Sequence, residues 1–421
     1  MELRRSSARW REHVNILVLN SGSSSQKAAV YQFADSVPDD PQEPVWQGKI
    51  EWDGGRANIA VRNRSGARIA DRADAVSRKQ ATAQLLDSIW SGAAAVMQSA
   101  SEVSIAGHRV VNGGREFREP AIVTPEVKAA IERMAVYAPL HNRAELDGIE
   151  IVEHKCGALP QVAVFDTAFH RQIPEAASVY PGRYEWLEQG ICRYGFHGIN
   201  HQYCAHRAAK MLGKDLNSLR LVTCHLGNGC SLAAIRGGHS VDTTMGFTPL
   251  EGLMMGTRSG SVDPGILTHL MRQTNVTGEQ IDDILNKQSG LLGISGISSD
   301  MRQVVAAMNE GHARAKLAFD IFVHRLRSGI GAMGAVLGGL DALVFSAGIG
   351  ENSPEVRAAT CENFGFLGVQ IDAAKNANPA LDAEITGAGA RIRVLVIRAQ
   401  EDWAIARDCW RLASHLARSK G

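Results

Sequence analysis

Residues Ile16–Tyr31 read ILVLNSGSSSQKAAVY, two short apolar runs joined by a turn of small residues, with Lys27 just beyond it. A plain hairpin needs only a pair such as Asn-Gly at its tip. This turn carries Asn20, Gly22 and a run of serines. Hydroxyls and the backbone N–H groups exposed on small residues suit an anion, and phosphate is the usual one. A solvated serine-rich turn is the other reading, and a single glycine-containing motif does not separate the two.

The signal recurs. Sliding the chain by 205 positions lays ILVLNSGSSSQKAAV on LVTCHLGNGCSLAAI (Leu221 to Ile235) without a gap. Gly22 falls on Gly227, Asn20 on His225, and Ala28, Ala29 and Val30 on Ala233, Ala234 and Ile235. The offset is close to half of the 421 residues, which are too many for one core. Two related halves follow, each opening with a glycine-rich hairpin. Facing each other across a cleft, the two turns would hold successive phosphates of one nucleotide. A Walker loop and a GxGxxG fingerprint both open a helix, whereas the residues after these turns run on as a strand.

A coarse pass gives α/β halves. Strands are expected at Ile105 to Val111, Gln161 to Phe165, Leu221 to Cys224, Ala342 to Phe345 and Arg393 to Ile397. Helices are expected at Ala81 to Gln98, His201 to Leu212, Ala315 to Leu337 and Trp403 to Ala417, and the rest of a sheet between about 31 and 75. The apolar stretch from Gly329 is split by Gly338-Gly339 and Asp341, so it reads as a buried helix and a strand rather than a membrane span. The composition is ordinary for a globular chain, 45% hydrophobic and 21% charged. The net charge of +1 gives no reason to expect nucleic acid or an anionic membrane as partner. Seven cysteines without CxxC spacing read as reduced thiols of a cytoplasmic protein. The Arg-rich first dozen residues lack an apolar stretch of signal-peptide length.

Polar residues gather at strand ends, where open α/β sheets place their sites. GHRVVNGG carries His108 and Arg109, APLHNRAE carries His141, VFDTAFH carries Asp166 and His170, and RYGFHGINH carries His197 and His201. GFTPLEGLMMGTRSGS carries Pro249 and Arg258, FSAGIGEN carries Gly348 to Asn352, and VIRAQED ends in Glu401 and Asp402. Each has a plainer reading alone. Arg109 pairs with a surface acid, Asp166 or Glu401 caps a helix, and His197 and His201 face one helix side. A zinc site on those histidines lacks the glutamate that HExxH needs, since Gly198 follows His197.

Together, and in order from about Asn15 to Arg407, these motifs resemble the acetate kinase family. The resemblance implies two duplicated ribonuclease-H-like domains of the actin-like ATPase type flanking a nucleotide cleft. The first would span residues 1–165 with a returning C-terminal helix, 402–421, and the second 166–401. It implies Mg²⁺-dependent, reversible phosphoryl transfer between ATP and acetate, giving acetyl phosphate and ADP, in a cytoplasmic homodimer, with Mn²⁺ as a substitute metal. Propionate or butyrate kinase of the same family is the alternative, because one methylene in an apolar pocket discriminates by only about 1–3 kcal/mol. A non-catalytic or filament-forming ATPase of the superfamily is a further class.

The resemblance also assigns roles by position. Asn20 and Glu401 match the Mg²⁺ ligands. Arg109 matches the substrate-binding arginine, Asp166 the catalytic aspartate, and His197 and Arg258 the stabilisers of the transition state. Val111, Leu140, Phe196 and Pro249 match the pocket for the substrate methyl. Lys27, the run His225, Leu226, Gly227, Asn228 and Gly229, the run Asp300, Met301 and Arg302, and the run Gly348, Ile349, Gly350, Glu351 and Asn352 match nucleotide-binding positions. The spelling departs from the family at Asn112, Arg143, Ile199-Asn200, Cys230 and AQED. None of these removes an assigned residue. A carboxylate is ionised at pH 7 without help, so Asp166 reads as orienting an arginine, or as holding Mg²⁺ through water, rather than as a base.

Overall fold

In the computed structural model, residues 13–22, 25–34, 36–53, 56–74, 77–135, 139–380 and 382–418 are described, with the side chains of 53, 72–74, 139–142 and 415–418 left out. The chain divides into two compact units, Met1–Ala168 with Gln400–Gly421, and Phe169–Ala399. The expected boundaries lie at 165/166 and 401/402. The structural division leaves Asp166 and Glu401 in the first unit, because Asp166 follows directly on a strand of that sheet and Glu401 opens a helix packed on it.

The first unit holds an eight-stranded sheet made of β1 (Val14–Ser21), β2 (Ser25–Phe33), β3 (Trp46–Asp53), β4 (Arg56–Asn63), β5 (Arg68–Asp74), β6 (Ile105–Val110), β7 (Ala121–Ile122) and β8 (Gln161–Phe165). Its order is β5-β4-β3-β2-β1-β6-β8-β7. Strands β1 to β5 form an antiparallel meander, and β1, β6 and β8 run parallel. β1 and β8 are buried along nearly their whole length, as parallel strands between helical layers must be. The helices Pro139–Cys156 and Glu401–Arg418 both pack on β1 and β6. The core beneath includes Leu17, Leu19, Trp46, Ile50, Leu85 and Val152.

The second unit holds β9 (Arg220–Leu226), β10 (Cys230–Arg236), β11 (His239–Thr243), β12 (Ala342–Ser346), β13 (Ala383–Glu384) and β14 (Arg393–Val396), in the order β11-β10-β9-β12-β14-β13. Here too an antiparallel hairpin, β9-β10, is continued by parallel pairings of β9 with β12 and of β12 with β14. The repeat seen in the sequence is therefore a repeat of topology. β1 ends at Ser21 and β9 at Leu226, β2 starts at Ser25 and β10 at Cys230, so the 205-residue offset holds on both sides of the turn.

The expected elements are present, with differences at their ends. The helix expected over Ala81 to Gln98 is Arg78–Asp87, opened by a Ser77–Gln80 capping box. The chain then reverses at Gly92 (φ 81°), and the carbonyl of Ile89 takes the N–H groups of both Val96 and Met97. The strand expected to reach Val111 stops at Val110. The apolar stretch after Gly329 is the end of helix Ala313–Leu337, stopped by Gly338 in the left-handed region (φ 66°), followed by β12. Among the described residues no helix is long and apolar enough to cross a membrane.

Candidate active site

In the first unit the polar ends of β1, β6 and β8 meet the start of the last helix. Arg109, the fifth residue of β6, donates from Nη2 to Oδ2 of Asp166 at 2.5 Å and from Nη1 to Oδ1 of Asn20 at 3.3 Å. Asp166 is fully buried, and Arg109 nearly so. Strand register explains the pairing, since Val110 lies opposite Phe165 and the side chains just past the ends of parallel strands share one edge. Asn20 faces the helix Glu401–Arg418, where its Nδ2 donates to Oε2 of Glu401 at 3.3 Å and to Oδ1 of Asp402 at 2.9 Å. Burial raises the Asp402 carboxyl above its ordinary range, against the opposing effects of Lys27 and the Asn20 bond. Glu401 and Asp402 thus place two carboxylates, hard oxygen donors of the kind that suits Mg²⁺ or Mn²⁺, against the amide nitrogen of Asn20, whose oxygen is turned to Arg109. Among the described residues no group of three His, Cys, Asp or Glu forms a metal cage. A Mg²⁺ site built from one or two carboxylates plus substrate phosphates needs none.

Val111 follows β6, is buried, and has its N–H bound by Oε1 of Glu145 at 3.0 Å. Asn112, one of the departures, is fully buried and takes the N–H of Gly114 at 2.8 Å, closing the turn. The side chain of Leu140 lies outside the described residues. Lys27 lines a separate cavity of about 670 Å³ with Lys49, Arg62, Arg68 and Asp402.

In the second unit the loop after β9, the short helix Ala347–Asn352 that follows β12 and the start of helix Met301–Asn309 border a cavity of about 740 Å³. Of the positions assigned to nucleotide, Gly227, Asn228, Asp300, Met301, Arg302, Gly348, Ile349 and Asn352 line it. His225, Leu226, Gly229, Gly350 and Glu351 are not among its lining. Glu351 has another task. Its Oε1 takes the N–H groups of Ala347 (2.9 Å) and Ala399 (2.8 Å), and so supports the left-handed Ala347 (φ 65°) that opens the short helix Ala347–Asn352. Asp300 caps its helix by accepting from the Arg302 N–H at 2.9 Å.

His197 sits beside this loop in a left-handed conformation (φ 57°) at the start of helix Gly198–Leu212. That backbone costs about 1–3 kcal/mol for a non-glycine residue and persists only where the surroundings enforce it. Its ring stacks on His225 at 4.0 Å, and Nδ1 bonds to Oγ of Ser231 at 2.9 Å. Ser231 also bonds to Nε2 of His201 at 2.8 Å, and Nδ1 of His201 bonds to Oγ1 of Thr223 at 2.7 Å. Both ring nitrogens of His201 are thereby engaged, which leaves no lone pair for the zinc reading. Burial drives the pKa of His201 well below the ordinary histidine value, so this ring is neutral.

Arg258 donates from Nη1 to the carbonyl of Pro249 at 3.1 Å. A Cβ on Gly229 would stand 3.4 Å from Nη1 of Arg258 and 3.5 Å from Nε2 of His197, so the two cationic or donor groups converge over the glycine turn. Gly256, two residues before Arg258, lies close against Asn228. A Cβ there would lie 2.0 Å from Oδ1 of Asn228, and its N–H holds the Asn228 carbonyl at 2.9 Å.

Several positioning residues carried no signal in the sequence reading. Ser231 joins two histidines, Glu145 holds Val111, and Asn200 donates to Nδ1 of His225 at 2.8 Å and to Oγ of Ser346 at 3.2 Å. Asn200 stood out there only as a departure from the family spelling. Phe196 is fully buried, its carbonyl held at 3.0 Å by Nε2 of His170, whose pKa burial pushes down to about 4.

The family model described as the acetokinase family matches residues 15–407. The chain is 56% identical over 411 residues to the acetate kinase of Gloeobacter violaceus, covering 96% of this chain and 100% of that one. Among solved structures it matches Porphyromonas gingivalis acetate kinase with a TM-score of 0.87 at 36% identity, covering 95% and 100% of the two chains. It matches a propionate kinase from Francisella tularensis with a TM-score of 0.86 at 35% identity, covering 94% and 99%. With the duplicated topology and a likeness that runs the length of the chain, the protein belongs to the acetokinase family.

Proposed function

We propose that this chain transfers the terminal phosphoryl group of ATP to acetate in one direct in-line step, reversibly, giving acetyl phosphate and ADP. An acetate oxygen forms the new bond to phosphorus as the bond to the β-phosphate oxygen breaks, and ADP leaves with that electron pair. No proton has to be removed, because acetate is already ionised at neutral pH. The obstacle is repulsion between two anions, so positioning and neutralisation do the work.

The observation that carries this reading is the buried cluster of Arg109, Asp166, Asn20 and Glu401. Asp166 fixes the guanidinium of Arg109 in place, and Arg109 then binds the acetate carboxylate through its planar fork. Asn20 and Glu401 would hold Mg²⁺, with Mn²⁺ as a substitute, and the bound ion neutralises polyphosphate charge. The cavity at Gly227, Asp300 and Gly348 takes the nucleotide, its volume falling within the range of ligand pockets. His197 and Arg258, converging on Gly229, bind the phosphoryl oxygens. Hydroxylamine trapping of acetyl phosphate from ATP and acetate tests the reaction, and its absence with Mg²⁺ present would overturn it. On the family resemblance and the seven free thiols, we place the enzyme in the cytoplasm as a homodimer, which light scattering of the purified protein checks.

Val111 and Pro249 are the proposed determinants of acyl length. Val111→Ala is expected to enlarge the methyl site and move the propionate-to-acetate ratio of kcat/KM upward by about tenfold, the usual scale for one methylene. Side-by-side kinetics with acetate, propionate and butyrate measure it. An unmoved ratio would place the determinant elsewhere.

A further inference from the structure

A second carboxylate lies beside Arg109 and has no part in the transfer itself. Glu145, on helix Pro139–Cys156, is 1% exposed. Its Oε1 accepts the N–H of Val111. Its Oε2 has no hydrogen-bond partner among the described residues, and neither does the Nε–H of Arg109. Glutamate almost never takes a fully buried place without a partner for each oxygen, because the unmatched charge is costly. The charged groups acting on Glu145 are Arg109 and Asp166. From β6, His108 approaches the same helix near Gly148, with Nδ1 3.9 Å from the point a Cβ there would occupy. His108 adds no charge, since it is bound to Gln161 at 2.6 Å and burial pushes its pKa down to about 4. Among the described residues Arg109 is therefore the one cation acting on Glu145, and its guanidinium already carries Asp166.

We infer that Glu145 is a positioning residue of the acetate site that works as a neutral carboxylic acid: one oxygen holds the backbone of Val111, and the other keeps a proton, so that Arg109 retains positive charge for the substrate carboxylate. This inference rests on reading Arg109 and Val111 as the acetate site. Burial raises the Glu145 carboxyl to about 8, with Arg109 and the Val111 N–H pulling it back. Below that pH, Arg109 faces the charges of Asp166 and of Glu401, the latter assigned to the metal, and Glu145 adds no further negative charge to what an incoming anion meets. Above it, an ionised Glu145 adds a further carboxylate beside the one guanidinium. Acetate affinity is then lost as pH rises, while the nucleotide site, built from other residues, keeps its affinity.

The test is steady-state kinetics of the full-length enzyme with saturating Mg²⁺ from pH 6.5 to 9.5. In wild type, KM for acetate is expected to climb toward tenfold per pH unit above the Glu145 pKa, with KM for ATP flat. Glu145→Gln, a neutral isostere that still offers an oxygen to Val111, is expected to abolish the alkaline rise. Glu145→Ala is expected to raise KM for acetate about tenfold at pH 7 with a smaller change in kcat, and Glu145→Gln to recover most of that loss. A Glu145→Gln enzyme that keeps the wild-type alkaline rise would overturn the inference, even if Glu145→Ala fails to fold. Arg109→Ala, measured in parallel, separates the two levels. If it leaves KM for acetate unchanged, the acetate-site reading fails and the inference falls with it. If it raises KM while Glu145→Gln behaves as wild type, only the inference fails.

Discussion

Arg258→Ala is expected to lose about 10³–10⁵ in kcat while KM for ATP stays nearly unchanged, the scale of an arginine that meets a transferring phosphoryl group. The side chain is half-buried and spends Nη1 on the Pro249 carbonyl, which aims it without neutralising it. Nη1 of Arg258 and Nε2 of His197 both reach Gly229, and on the proposed mechanism the guanidinium would meet the charge that spreads over the equatorial oxygens in the transition state. An interaction made mainly in the transition state lowers kcat and kcat/KM together when removed. Arg258→Lys is expected to recover little, since a point charge lacks the fork. Added guanidine is expected to restore part of the activity of Arg258→Ala by filling the space left. A purely structural arginine behaves otherwise. The variant would melt earlier and keep kcat per folded molecule within a few-fold of wild type, and that outcome would refute the assignment.

Glu401→Ala is the second large effect. Charge neutralisation by a bound divalent ion contributes several kcal/mol to phosphoryl-type transition states, so losing the ligand is expected to cost about 10²-fold or more in kcat at fixed Mg²⁺. The Mg²⁺ concentration for half-maximal rate is expected to rise with it. Asn20→Ala is expected to shift the metal requirement in the same direction, because Asn20 binds both Glu401 and Asp402. Direct Mn²⁺ binding by electron paramagnetic resonance gives a readout independent of turnover. Removal of metal by EDTA is expected to abolish transfer reversibly. A Glu401→Ala enzyme with wild-type kcat and wild-type metal dependence would remove Glu401 from the metal site.

The departures from the family spelling explain how local chemistry adjusts around an unchanged reaction. Asn112 closes a buried turn through its own side-chain oxygen, and Asn200 holds His225. Neither displaces Arg109, Asp166, His197 or Arg258.

The sequence by itself determined the duplication, most strand positions and the gathering of polar residues at strand ends. Those are local properties. A run of apolar residues reports burial, a glycine turn reports close approach, and an offset of 205 reports a repeat, all without knowledge of partners. The early end of the helix at Asp87 escaped that reading because nothing in the apolar pattern marks where Gly92 reverses the chain. Partnership itself was decided by the tertiary structure. Asn20 meets Glu401 across 381 positions and Arg109 meets Asp166 across 57. Ser231 links His197 to His201, and Glu145 sits under Val111. A hydrogen bond between distant residues leaves no periodicity in the chain. Its partners are set by which strand ends and helix starts the sheet order brings to one edge, and by the cost of leaving any buried polar atom there unmatched.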